Sequence, residues 1–330
     1  MFNRFVTSHV GSFPLEYSEK NIERIVSDLA GLGIDIPPYP QLRDFIEICI
    51  QPLLEASLIS KEGKYHKSRI EVLLNSRLPT ITISEVEYAR KYLLRHNFIL
   101  WRAPVTGVFT IASKIYIDDP AKSLWATALT SKEVVFSFFK EYVTSIVKYV
   151  YSLGYRFIVL DEPMLANIVG SRRILFNYKA EEIIELYDRI FNSIPKDAIT
   201  GIHICGRISP KLHEILCQIP SLKVLNHEFK DAPENVNIIR RELLEKYDKI
   251  LSPGIVSSRK PIVESIEETR SLLNLIIEKF DNRVNIISAD CGFAALRDST
   301  GNLERAYKLA IEKLGMVVHV VQELNKKQHP

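Results

Sequence analysis

The feature that most constrains this chain is a unit repeated through its second half. A short apolar, β-branched run is closed by polar residues and followed by an amphipathic stretch of helical length. Arg156-Phe157-Ile158-Val159-Leu160 is closed by Asp161-Glu162-Pro163, and the run at 198–202 by His203-Ile204-Cys205-Gly206. The run at 222–226 ends at His227-Glu228, and Val284-Asn285-Ile286-Ile287 ends at Ala289-Asp290-Cys291-Gly292. A weaker run, Lys249-Ile250-Leu251, leads into Ser252-Pro253-Gly254. Segments with apolar residues at helical spacing lie between them, at 180–191, 234–247 and 264–280. Strands alternating with helices at this cadence require a parallel sheet with right-handed crossovers. The units continue to the end of the sequence, and no Gly-x-Gly-x-x-Gly or Walker-type loop opens a helix. Both facts favour an α/β fold of the (β/α)8 TIM-barrel type over an open doubly wound sheet, as one domain over residues 1–330.

The first half is less regular. Phe5-Val6-Thr7 reads as a strand running into the turn His9-Val10-Gly11-Ser12-Phe13-Pro14, and 20–32 reads as a helix. Phe98-Ile99-Leu100-Trp101, ending at Pro104, reads as a strand, and 132–153 as one long helix. The second barrel strand has no clear signal. Pro37-Pro38-Tyr39-Pro40 reads as a rigid loop rather than a domain boundary.

Charge and apolar content narrow the partners. The net charge is only +3 over 330 residues, and basic residues are interleaved with acids, as in Arg240-Arg241-Glu242. That pattern is a solvated helix face, not a nucleic-acid track. No apolar run reaches bilayer-spanning length and no signal-type segment opens the chain, so the expectation is a cytoplasmic protein with no membrane contact. Four cysteines are too few to staple a chain of this size in a reducing compartment, which leaves metal ligation as the question. Cys49 and Cys217 fall in apolar helical patterns and read as core.

The remaining polar residues are placed differently. His203, Cys205, Glu228 and Cys291 all follow apolar strand runs, which in a barrel is the C-terminal rim where active sites sit. His203 and Cys205 are two apart, so on a strand they point the same way. Together the four give an N/S/S/O set of the kind that suits zinc. Singly, a buried cysteine is usually a small hydrophobe and a strand-end histidine is merely hydrogen-bonded. Recurrence at equivalent strand ends is what joins them. His227, beside Glu228, should point to the opposite face. Asp161 closes a buried strand, where an unpaired carboxylate is costly; a substrate ammonium or a neighbouring basic side chain would answer it equally well. Amides of the Gly11-Ser12 turn could hold a carboxylate, or the turn could simply end a strand.

The same residues carry a family resemblance. Gly11-Ser12-Phe13-Pro14, Asp161-Glu162-Pro163, the His203-x-Cys205 pair, Glu228, Ser252-Pro253-Gly254 and Asp290-Cys291-Gly292 resemble, in order and spacing, the motifs of the catalytic barrel of cobalamin-independent methionine synthases. Pro104-Val105-Thr106-Gly107 is a weaker match. The resemblance implies His203, Cys205, Glu228 and Cys291 as ligands of one Zn²⁺ per chain. It implies homocysteine as substrate, with its carboxylate on Gly11 and Ser12 and its amine on Asp161, and Glu55 is the candidate for a second acidic contact. The implied activity is zinc-dependent methyl transfer to the homocysteine thiol. A free thiol, with a pKa of about 8.5, is mostly protonated at neutral pH, and zinc coordination deprotonates it. Two cysteine thiolates and a glutamate keep the site electron-rich, at a net charge of about −1 before substrate and about −2 with its thiolate. Attack on a methyl group disperses that charge.

Three departures from the family pattern matter. The full-length enzymes carry an additional N-terminal barrel. Leu15 stands where an arginine usually follows Gly-Ser-Phe-Pro. The loop after Ser252-Pro253-Gly254, here Ile255-Val256-Ser257-Ser258-Arg259-Lys260-Pro261, lacks the family's histidine. Similar short single-barrel relatives take the methyl group from methylcobalamin or a corrinoid protein, so the donor is left open between these and a methyl-tetrahydropterin (methyl-folate). Three alternatives accompany the main reading. They are a corrinoid-linked methyltransferase acting on another thiol, a zinc-binding barrel subunit that needs a companion chain, and a zinc hydrolase with a bound water and no amino-acid pocket.

Overall fold

The computed structural model describes residues 2–328; Met1, His329 and Pro330 of the expected 1–330 domain lie outside the described residues. Ten strands occur in it: β1 (Val6–Thr7), β2 (Ser60–Glu62), β3 (Tyr65–Lys67), β4 (Arg102–Thr106), β5 (Ile115–Tyr116), β6 (Phe157–Asp161), β7 (Ile199–Ile204), β8 (Val224–Glu228), β9 (Ile250–Gly254) and β10 (Ile286–Ile287). Five of them form one ladder in the order β4-β6-β7-β8-β9, every pair parallel. β1 pairs with β10, also in parallel. Isolated parallel bridges Leu251↔Val284 and Gly254↔Ser288 extend from β9 towards β10. β2, β3 and β5 form a separate small sheet that the sequence did not foreshadow.

The segment 36–41 answers the missing second strand. Bridges Ser8↔Ile36, Ser12↔Gln41 and Pro38↔Arg102 set it between the β1 side and β4. The proline cluster, expected as a rigid loop, is therefore a strand-like filler. Prolines lack the N–H that a continuous ladder needs, so contact is limited to such bridges. The strand expected over Phe98-Ile99-Leu100-Trp101 and ending at Pro104 is shifted along the chain: β4 starts at Arg102 and runs through Pro104 to Thr106. Pro104 is tolerated because side chains replace the ladder on its free edge: the Tyr39 hydroxyl donates to the Pro104 carbonyl.

Alternation along the strands sorts the side chains. Val6, Ile36, Phe157, Val159, Val224 and Ile286 form a small apolar cluster on one face. Ile158, Leu160, Ile202, Ile204, Leu225, Leu251 and Ile287 point the other way, into the main core beneath the helices. Each such fully buried aliphatic side chain contributes roughly 1.5–3 kcal/mol.

Helices start where the sequence supplies caps. Ser18 accepts from the Asn21 amide ahead of Glu19–Leu32, Ser209 caps Pro210–Gln218, and Ser265 caps Ile266–Phe280. The long helix expected at 132–153 is present with a π-turn over Val135–Phe139. The one expected at 234–247 is two short helices, Asn235–Ile238 and Arg241–Lys246. They part where the Arg240 amide donates to His213 Nε2 instead of continuing the helix.

Candidate metal centre

The strands run further than their apolar residues suggest. Asp161, His203 and Glu228 are strand residues, paired in register as Asp161↔His203 and Glu228↔Gly254. A buried polar strand end stays in the ladder because its backbone groups need partners as much as those of its apolar neighbours. Alternation then aims His203 and Cys205 to one side of β7. Cys291, arriving on the loop after β10, meets them: one donor atom from each of the three lies within 4.8 Å of the others. His203 Nε2 is 3.1 Å from Cys205 Sγ, which is 3.2 Å from Cys291 Sγ. All four cysteines are free thiols, with Cys49 and Cys217 buried in the core as expected.

Within the trio the three groups bias one another's protonation. A hydrogen bond from Cys205, reinforced by His203, draws Cys291 well below the usual thiol range against the effect of burial. The same bond raises Cys205. Burial lowers His203, but the Cys291 thiolate and Asp161 outweigh it and leave the imidazole above its ordinary value. Two soft sulfurs and one imidazole at this spacing fit zinc.

Glu228 is buried at the adjacent strand end, with its carboxylate outside the trio. Both oxygens accept from Arg259 Nη2, at 2.7 and 3.0 Å. His227 points to the opposite face, where burial holds it neutral with a pKa lowered to about 3.

Asp161 is buried, with Oδ1 lacking a hydrogen-bond partner. Desolvation lifts it to about 7, opposed by His203 and Arg102. The next residue, Glu162, faces the other way. It accepts from the amides of Phe109 and Thr110, the Thr110 hydroxyl and the Tyr187 hydroxyl, and so ties down the helical turn Val108–Ala112 in the loop region after β4. Asp290 works similarly, accepting from the amides of Phe229, Lys230 and Asp231. In both motifs one carboxylate organises the loop.

The Gly11-Ser12 turn stands beside this centre. Gly11 has φ +152°, and a Cβ there would lie 2.8 Å from Pro104 Cγ, so only glycine fits. Phe293 N donates to the Ser12 carbonyl at 2.8 Å, which puts the turn two residues from Cys291. Gly292 lets the two loops touch, since a Cβ on it would be 2.0 Å from Ser12 Oγ.

Glu55 is not brought here. It is exposed, accepts from Gln51, and closes the helix Phe45–Glu55. The other end of that helix touches β4 through the Phe45 carbonyl, and a helix of this length rises about 15 Å.

Sequence reasoning missed three neighbours of the centre. His9 stacks on Phe293 with centroids 4.8 Å apart, and burial lowers it to about 3. Arg102 is buried on the inner face, giving Nη2 to Asn226 Oδ1 while Nε and Nη1 lack partners. Correct placement of β4 would have exposed Arg102 by parity with Pro104. Arg259 had no local signal beyond lying in the loop that lacks a histidine. A surface cleft of about 600 Å³ is at the opposite end of the strands, against Ala198, Lys223 and Lys249. The two metal-type clusters found among the described residues are both at the C-terminal ends.

A parallel α/β sheet that gathers an imidazole and two thiols at the C-terminal ends of its strands places a candidate metal centre where enzymes of this architecture keep their active sites. Comparison with known proteins narrows it. No family model matches the chain. A methionine synthase of Methanocaldococcus jannaschii is 25% identical over 325 residues, spanning 88% of this chain and 93% of that protein. A methionine synthase of Sulfolobus acidocaldarius is 21% identical over 319 residues, spanning 92% and 82%. Among solved structures, a B12-independent methionine synthase from Shewanella, in complex with selenomethionine, superposes with TM-score 0.69 at 16% identity, over 98% of this chain and 99% of that one. A methyltransferase from Methanosarcina mazei gives TM-score 0.66 at 12% identity, over 98% and 95%. Over most of its length the chain is thus similar to archaeal methionine synthases, and in fold to a B12-independent methionine synthase.

Proposed function

We propose that the protein is a zinc-dependent homocysteine S-methyltransferase that forms methionine. The observation that carries this reading is the trio His203, Cys205 and Cys291, set at the strand ends beside the Gly11-Ser12 turn and the under-bonded Asp161. The names of the relatives that the chain matches over most of their length support it. The eight parallel segments, with 36–41 as the second, are read as one closed barrel; the bridges on both flanks of the five-stranded ladder support that closure.

In this reading His203, Cys205 and Cys291 hold the metal and Glu228 is the fourth ligand. Zinc, when bound, makes a coordinated thiol a thiolate at neutral pH. The remaining tasks fall to the chain's own residues. Asp161 binds the substrate ammonium, which supplies the partner its carboxylate lacks. The Gly11-Ser12 turn binds the substrate carboxylate. Arg102, buried alongside, offsets the negative charge gathered at the sulfurs.

The methyl donor is the part the residues leave least specified. The test is incubation of the zinc-loaded protein with homocysteine and either methylcobalamin or a methyl-folate, following methionine formation. Methionine from one of them names the donor. Methionine from neither, with zinc bound, favours a barrel that needs a corrinoid protein or a companion subunit. Turnover of a different thiol in place of homocysteine would refute the substrate.

A further inference from the structure

The loop that replaces the family's histidine is built rather than slack. Ser257 N donates to Glu264 Oε1 at 2.7 Å, and the other carboxylate oxygen accepts from the buried Lys313 at 2.8 Å. Ser257 Oγ donates to Asp231 and accepts from the amides of Arg259 and Lys260. These bonds fix the backbone from which Arg259 reaches back to β8. Its guanidinium is half exposed, whereas Glu228 is fully buried. Both Glu228 oxygens accept from the same Nη2, and the carboxylate is not among the donors that gather in the trio.

We propose that Arg259 is a positioning residue that competes with the metal for Glu228, holding this carboxylate off a centre otherwise made of His203, Cys205 and Cys291. The inference rests on the zinc reading above and concerns only its fourth ligand. A carboxylate committed to a guanidinium by a charge-assisted bond must be released before it can coordinate. A buried carboxylate left without either partner is strongly disfavoured. Glu228 therefore always belongs to one cation or the other. The pair lowers the affinity of the site for zinc and limits the negative charge on the metal, while its exposed half lets the arginine swing away.

The test is a double-mutant cycle on zinc affinity, measured on the full chain by competition with a chromophoric chelator. Arg259→Ala removes a half-exposed side chain and its pair with Glu228, and should bind zinc about tenfold more tightly than the parent, the order expected for one partly exposed charge-assisted pair. In the Glu228→Gln background, Arg259→Ala should change the affinity by less than about twofold. Unchanged or weaker zinc binding in Arg259→Ala overturns the proposal, because it would make the arginine a support of a coordinated Glu228. So does tightening that persists in the Glu228→Gln background. Both of those outcomes leave the metal centre itself standing. A parent protein that takes up no zinc overturns the metal reading and this proposal with it.

Discussion

Asp161→Asn converts the oddest carboxylate in the structure into a test of why it is there. In the metal-free, ligand-free protein the Asp161 carboxyl is raised from 3.8 to about 7, chiefly by burial. At about 1.36 kcal/mol per pH unit this corresponds to about 4 kcal/mol. The sign follows from proton binding. Between those two values the folded chain keeps a proton that the unfolded chain has released. Asp161 therefore makes the fold less stable as pH rises from about 4 to about 7, with no further change above. Glu162 and Asp290, also raised by burial, act in the same direction but cancel in a comparison of variants. Urea denaturation of the chelator-treated wild-type and Asp161→Asn proteins between pH 4 and 8.5 should show the variant gaining on the wild type. The gap should widen by up to about 4 kcal/mol and be complete near pH 7.5. Homocysteine at saturation should then stabilise the wild type above pH 7 and the variant much less, because its ammonium finds no carboxylate. Parallel stability curves across the range would refute the desolvated-carboxylate argument. Equal stabilisation of both proteins by homocysteine would refute the ammonium contact.

Two further outcomes follow from the geometry. Cys205→Ser and Cys291→Ser should each fall well below one zinc per chain by metal analysis after dialysis, while Cys217→Ala, in the core, keeps its metal; full retention in both serine variants would remove the proposed centre. Gly254→Ala should cost more than about 3 kcal/mol in urea denaturation, because its Cβ would lie 2.2 Å from Asp290 Cα, where only backbone can give way; a loss under about 1 kcal/mol would show that the β9–β10 contact is looser than described.

Much of the centre was legible because it depends on short-range geometry. A two-residue spacing on a strand puts His203 and Cys205 on one face whatever the rest of the chain does, and it turns His227 and Glu162 away by the same alternation. Glycine at position 11 reflects a backbone conformation that other residues resist. The strand expected from Phe98 to Pro104 begins only at Arg102, because an apolar run is not itself a strand. The ladder instead follows hydrogen-bond partners, through Arg102 and Pro104 and on to the polar ends of β6, β7 and β8. The helix at 234–247 failed for a related reason, since His213 from another helix captures the Arg240 amide.

The sequence by itself determined the alternation of strands and helices, the face each strand presents and which thiols and imidazole stand at the strand ends. All of these are set by local sterics and by side-chain chemistry. Only the tertiary structure decided that the proline cluster sits between the β1 side and β4, that Glu55 is carried away from the site, and that Arg102 lies inside. Above all it decided the partner of Glu228. Arg259 is 31 residues away in sequence, and an ion pair across such a distance depends on where two loops end in space. Spacing along the chain carries no record of that.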